Sequence, residues 1–142
     1  MSIVEIYTDG GSRGNPGPSA IGYVIQTQPP VKEGLFIGVQ TNNYAEYQAL
    51  IHALKKAQSI KISQIKIKMD SELIVKQLLG QYKVKHENMK PLHAEVKKLL
   101  EQFQLWTVEH VRREQNKEAD EMVNQALDQY QESQEESTTS KS

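Results

Sequence analysis

Four acidic residues, Asp9, Glu46, Asp70 and Asp120, stand where carboxylates can do chemistry. Asp9 follows the apolar run Ile3-Val4-Glu5-Ile6-Tyr7-Thr8 and opens the turn Gly10-Gly11-Ser12-Arg13-Gly14-Asn15-Pro16-Gly17-Pro18. That turn holds four of the chain's eight glycines, so its backbone can approach a partner closely. Asp70 closes the alternating run Ile65-Lys66-Ile67-Lys68-Met69. Glu46 falls in the first turn of a helical pattern, and Asp120 borders the apolar stripe continued by Val123 and Leu127. Each acid also has a purely structural reading. Asp9 could serve a hairpin turn, Asp70 a helix N-cap, Glu46 a capping box with Asn43, and Asp120 an ion pair with Lys117.

Four carboxylates with no lysine or arginine fixed among them would repel one another at neutral pH. Divalent cations with oxygen ligands resolve that conflict. Mg²⁺ takes a few carboxylates, keeps several waters and accepts phosphate oxygens. Two such ions about 4 Å apart activate a water and stabilise a leaving alkoxide. The chain has no cysteine and four scattered histidines, which makes zinc a poor competitor.

The elements that must position these acids follow from periodicity. Residues 2–9, 19–28 and 31–40 read as three strands joined by short turns, an antiparallel meander. Thr41-Asn42-Asn43 signals a helix start, and Tyr47, Leu50, Ile51, Leu54 and Ala57 carry the helix to about 58. Residues 65–69 alternate as a fourth strand. The strand–helix–strand order predicts that it lies parallel to an earlier strand. If that neighbour is the first strand, Asp9 and Asp70 emerge at one sheet edge, where open α/β sheets place their chemistry. A short helix from Asp70-Ser71 to Leu79 stops at Gly80, and 81–90 is a basic loop. Pro91 opens a helix with the face Leu92, Val96, Leu99, Leu100 and Phe103. Residues 105–111 form a fifth strand, in which Trp106 reads as core. The last helix, about 115–130, carries Ala119, Val123, Ala126, Leu127 and Tyr130. From about 131 the chain turns to Gln, Glu, Ser and Thr with no apolar face, which predicts a disordered acidic tail over 131–142 behind a single domain, 1–130.

Composition narrows the setting. A chain of 142 residues, 37% hydrophobic, is one globular domain with core enough to fold unaided. The lack of cysteine suits a reducing cytoplasm. The N-terminus enters a strand at once without a leader, and no apolar run reaches membrane-spanning length. The net charge of −1 conceals an asymmetry. Residues 128–142 carry Asp128, Glu132, Glu135 and Glu136 against Lys141, a balance of −3 that leaves 1–127 at +2. Within 76–98, Lys76, Lys83, Lys85, Lys90, Lys97 and Lys98 outnumber Glu87 and Glu95, a local excess of +4. Such a segment could meet a polyanion or could be a solvated face.

The ordered set Tyr7-Thr8-Asp9-Gly10-Gly11-Ser12-x-Gly14-Asn15-Pro16-Gly17-Pro18, Thr41-Asn42-Asn43-x-x-Glu46, Met69-Asp70-Ser71-Glu72 and Arg113-Glu114-x-Asn116-x-x-Ala119-Asp120 resembles type 1 ribonuclease H, over about residues 2–128. The resemblance implies an α/β, ribonuclease H-like fold: a mixed five-stranded sheet in the order 3-2-1-4-5, flanked by helices. It implies that Asp9, Glu46, Asp70 and Asp120 bind two Mg²⁺ or Mn²⁺ ions. The implied reaction is hydrolysis of the RNA strand of an RNA–DNA hybrid, leaving 5′-phosphate and 3′-hydroxyl ends. Ser12, Asn15, Asn42 and Asn43 would face the hybrid, since an amide that donates and accepts suits a 2′-hydroxyl. Lys83, Lys85 and Lys90 would meet phosphates of the duplex. The sequence departs from the best-known bacterial form in several places. Glu72 stands where glutamine is common. The loop before the last helix lacks a histidine-glycine segment, which leaves Arg113 as the candidate for phosphate contact or product release. The tryptophan-lined basic helix is missing, and no hybrid-binding domain is expected before residue 1. These features resemble a compact, archaeal-like branch, expected to act as a monomer. The same fold without useful turnover would be a nucleic-acid-binding module, and the same chemistry could serve another phosphodiester.

Overall fold

The computed structural model describes residues 2–140, the backbone alone from 136 onward. Five strands form one sheet in the order β3-β2-β1-β4-β5. They are β1 (Val4–Ser12), β2 (Gly17–Ile25), β3 (Val31–Gln40), β4 (Gln64–Met69) and β5 (Leu105–His110). β1 pairs antiparallel with β2, and β2 with β3, as the meander predicts. β4 lies parallel to β1, and β5 parallel to β4. The alternation read in β4 is that of a buried face, with Ile65, Ile67 and Met69 fully buried. Each such side chain contributes about 1.5–3 kcal/mol by leaving water.

Helices cover both faces. Helix α1 (Asn42–Ser59) crosses one face and packs on β1, β2 and α3 (Lys90–Leu100). Its apolar positions Tyr47, Leu50, Ile51, Leu54 and Ala57 are all buried in the main core. Helix α2 (Glu72–Leu78) is short because Gly80, at φ +77°, ends it in a conformation that other residues resist. Helix α4 (Lys117–Ser140) closes the other face through Val123, Ala126 and Leu127, which pack with Ala20 and Phe36. A 3₁₀ turn at Arg113–Asn116 leads into it.

Three expectations need correction. Strand β1 does not stop at Asp9: it continues to Ser12, because β2 supplies partners as far as Ser12↔Ser19. Trp106 packs against the main core but is only partly buried, on a strand at the sheet edge, with the Lys97 ammonium 5.4 Å from its ring centroid. The last helix does not end near 130 but runs on to Ser140, while 141–142 lie outside the described residues. Gln, Glu and Ser sustain a helix well enough without an apolar face, and no glycine or proline stops it. Contacts near position 130 help seat it: Tyr130 stacks on Phe36 with ring centroids 4.0 Å apart, and Gln131 accepts a hydrogen bond from Arg13.

Candidate active site

The parallel ladder between β1 and β4 ends at Thr8↔Met69. The next residue on each strand is Asp9 and Asp70, so register alone brings the two carboxylates to one edge. Glu46 reaches the same place from the first turns of α1. Ligand atoms of Asp9, Glu46 and Asp70 lie within 4.8 Å of one another. Asp120, in the first turn of α4, lines the same cleft, and its charge adds to the field on Asp9. The cleft also takes in Ser12, Arg13, Asn42, Asn43, Ser71, Arg113 and Asn124.

Local sequence explains why each acid is available. The N-cap of α1 is Thr41, whose Oγ1 accepts from the Tyr44 N–H at 3.2 Å, so Asn43 does not cap and Glu46 closes no capping box. Instead Glu46 Oε1 accepts from the Gly10 N–H at 2.7 Å. That contact needs glycine, because a Cβ at Gly10 would fall 2.3 Å from the Ala45 carbonyl. Ser71 caps α2 through its hydroxyl, which releases Asp70 from capping. Asp120 bonds with Asn124 at 3.3 Å, and among the described residues no ion pair joins it to Lys117. Asn116, buried beneath the site, donates from Nδ2 to the Thr8 carbonyl at 2.9 Å and ties the 3₁₀ turn to the middle of β1, where its ladder with β4 ends.

The electrostatics are those of crowded, buried anions. Asp9 and Glu46 are only 7% and 8% exposed. Burial pushes the Asp9 carboxyl far above the usual range, and the charges of Glu46, Asp70 and Asp120 push it further. Burial and Asp70 likewise raise Glu46, against the Gly10 N–H and the Arg113 guanidinium, which lower it. Arg113 is thus a cation at the edge of a cluster that the sequence had suggested was without one. An all-oxygen donor set at this spacing fits a hard divalent cation: it lacks the soft ligands of zinc, and its mutual repulsion is relieved by shared positive charge.

The remaining predicted contacts divide. Asn15 Oδ1 accepts from the Asn42 N–H at 3.1 Å, and Asn42 Oδ1 accepts from the Ser12 N–H at 2.9 Å. These bonds fasten the glycine turn to the start of α1 and engage the amide oxygens. The Ser12 hydroxyl turns inward among the carbonyls of Gly14, Gly17 and Gln40. Asn43 is exposed on the cleft wall. Glu72, outside the cleft lining, pairs with Lys76 at 2.7 Å, whose hydrogen bond holds its carboxyl below the usual range. Lys83 and Lys85 border a different groove with Leu73, Gln77, Gln81, Tyr82 and His86, and Lys90 pairs with Glu87 at 2.7 Å. Sequence reasoning gave Arg13, Asn116 and Asn124 no role. Position three before Ala119-Asp120 could have flagged Asn116, but nothing local marks the other two.

A family model described as reverse transcriptase-like matches residues 7–126. Ribonuclease HI of Halobacterium salinarum is 40% identical over 128 residues, which is 88% of this chain and 64% of that protein. The crystal structure of RNase H1 from Halobacterium salinarum NRC-1 superposes with a TM-score of 0.86 at 39% identity, over 90% of this chain and 99% of that one. LC11-RNase H1, in complex with an RNA/DNA hybrid, gives a TM-score of 0.84 at 41% identity, over 89% and 98% of the two chains. The chain belongs to the ribonuclease H-like, reverse transcriptase-like family. It spans 64% of the length of the halobacterial protein and 35% of the mycobacterial ones. Among the described residues, no helix is long and apolar enough to cross a membrane.

Proposed function

We propose that this protein is a metal-dependent endonuclease that hydrolyses the RNA strand of RNA–DNA hybrids, leaving 5′-phosphate and 3′-hydroxyl ends. The observation that carries the reading is the meeting of Asp9, Glu46 and Asp70 within 4.8 Å at the end of the β1–β4 ladder. Asp9, Glu46, Asp70 and Asp120 would hold two Mg²⁺ or Mn²⁺ ions. When bound, such a pair activates the attacking water and stabilises the leaving oxygen. The chain's own residues supply the rest. The Gly10 N–H fixes the Glu46 carboxylate, and Asn116 fixes the 3₁₀ turn before α4 to β1 at Thr8, next to Asp9. With their oxygens engaged, Asn15 and Asn42 would offer N–H groups to 2′-hydroxyls, and Asn43 would offer both donor and acceptor. Arg113 lies on the cleft wall beside Glu46, where it would hold a phosphate until release. The catalytic unit would be residues 1–130, acting as a monomer in the cytoplasm, in keeping with a chain free of cysteine.

A second reading, a binding module with little turnover, has one observation in its favour. Lys76 and Lys90 are paired with glutamates, and Lys83 and Lys85 face another groove, so the cleft itself is thinly basic. One experiment separates the two. Labelled RNA–DNA hybrid, duplex RNA and duplex DNA are each incubated with Mg²⁺, Mn²⁺ or EDTA. Cleavage of the RNA strand of the hybrid alone, abolished by EDTA, supports the nuclease. Hybrid binding without cleavage in either metal supports the module.

A further inference from the structure

Arg13 sits in the glycine turn and lines the cleft that holds the carboxylates. Its guanidinium turns to one face of α4. Nη2 donates to Asp128 Oδ1 at 2.7 Å and to Asn124 Oδ1 at 3.4 Å, while Nη1 donates to Gln131 Oε1. Asn124 in turn donates from Nδ2 to Asp120 at 3.3 Å, so the arginine is linked through one amide to the acid cluster. The Arg13 and Asp128 side chains are 34% and 59% exposed, and an ion pair so open to water is weak and easily exchanged. A planar fork of donors, resting on a carboxylate at the rim of a cleft, matches a phosphate as well as it matches that carboxylate. The lysines at 83 and 85 lie in a different groove, which leaves Arg13 and Arg113 as the arginines of the cleft wall.

We infer that Arg13 is a substrate-phosphate contact whose place is kept by α4, with Asp128 and Gln131 occupying donors that phosphate oxygens take over when nucleic acid binds. This rests on the nucleic-acid reading above and deepens it. The exchange moves no covalent bond. It swaps one anionic acceptor for another and makes α4, beyond the last acid of the site, a competitor for substrate. Phosphate contacts carry no sequence information but release counterions, so Arg13 contributes affinity and salt dependence rather than hybrid preference.

The test measures binding of RNA–DNA hybrid and duplex DNA to the full chain across salt concentrations, in Ca²⁺ to suppress turnover. Arg13→Ala weakens both duplexes alike and reduces the slope of log affinity against log salt by about 0.9, so that the loss between 50 and 200 mM salt is about 3.5-fold smaller. Asp128→Asn tightens binding several-fold, even though it removes an ion pair from the free protein, and has no such effect on top of Arg13→Ala. Arg13→Lys, which keeps the charge, retains the wild-type slope. If Arg13 is only a staple between turn and helix, Arg13→Ala lowers the melting temperature and leaves the salt slope of the folded protein unchanged, which overturns the inference. Wild-type protein that binds no hybrid overturns the nucleic-acid reading with it, whereas normal hybrid binding with an unaltered slope in Arg13→Ala overturns this inference alone.

Discussion

Replacing Gly10 by alanine tests how the sheet sets the position of Glu46. A Cβ at Gly10 would lie 2.3 Å from the carbonyl carbon and oxygen of Ala45 and 2.5 Å from the Glu46 nitrogen. All three are backbone atoms of α1, so no side-chain rotation relieves the overlap. An ordinary contact begins at 3.4 Å, so β1 and the first turns of α1 must part by about 1 Å. The 2.7 Å bond from the Gly10 N–H to Glu46 then stretches beyond hydrogen-bonding length. Overpacking of this kind costs about 1–3 kcal/mol, and leaving a buried carboxylate without its donor costs a similar amount. The two overlap in one distortion, so a total of about 2–4 kcal/mol is expected in denaturant unfolding. A 1 Å displacement of a catalytic group costs on the order of 10²-fold in rate, read as hybrid cleavage in Mg²⁺. Gly11→Ala is the control: its Cβ would meet Val123 Cγ1 at 3.4 Å, which is tolerable, and it should cost less than about 1 kcal/mol. Equal unfolding midpoints and equal cleavage rates for the two variants would refute the reasoning.

Asp9→Asn should stabilise the metal-free protein by about 1–3 kcal/mol near neutral pH, one to two pKa units' worth of relieved burial and repulsion. The sign follows from a folded-state pKa raised above its unfolded value: the contribution of Asp9 is fully present below about pH 4 and is lost as pH rises towards the raised value. The gain over wild type in thermal melts with EDTA should therefore be larger near pH 8 than near pH 5, and a gain that shrinks with rising pH contradicts it. Asn116→Ala removes the bond to the Thr8 carbonyl and should cost about 1–3 kcal/mol in denaturant unfolding, whereas a cost under about 0.5 kcal/mol would show that the 3₁₀ turn is held otherwise. Lys85→Ala, in the separate groove beside α2, should weaken hybrid and DNA binding less than Arg13→Ala does, while Asn43→Ala should narrow the preference for hybrid over DNA. Because Thr41 is the cap, the helix start survives the Asn43 change, and the reverse pattern of effects would overturn this division of labour.

The acids were legible because each lies at a discontinuity in a periodic pattern. Asp9 and Asp70 follow alternating runs, Glu46 falls near a helix start, and Asp120 stands beside an apolar stripe. The strand–helix–strand order likewise implied that β4 runs parallel to an earlier strand, and the fold makes that strand β1, which brings Asp9 and Asp70 together. What failed to show was anything set by long-range contact. The C-terminal helix looked like a solvated tail because its helical stability past 130 depends on polar residues and on partners in the glycine turn and β3, more than 90 positions away. Lys83 and Lys85 read as companions of the cleft on charge alone, yet the fold turns them to a separate groove beside α2. The sequence marked the start of α1 without singling out its cap, since Thr41, Asn42 and Asn43 are all competent caps and only backbone geometry chooses among them.

The central claim is that this carboxylate cluster cuts RNA paired with DNA. Its most direct test is the rate of RNA-strand cleavage in a labelled hybrid, wild type against Asp70→Asn, in saturating Mg²⁺. Asp70 lies within 4.8 Å of Asp9 and Glu46, and its N-capping neighbour Ser71 leaves the helix start independent of it. The account predicts that Asp70→Asn keeps its fold, melts no lower than wild type without metal, and loses at least about 10³-fold in rate, as expected when preorganised charge at a reacting centre is removed. Comparable cleavage by both proteins, or no cleavage of the hybrid by the wild type, would contradict it.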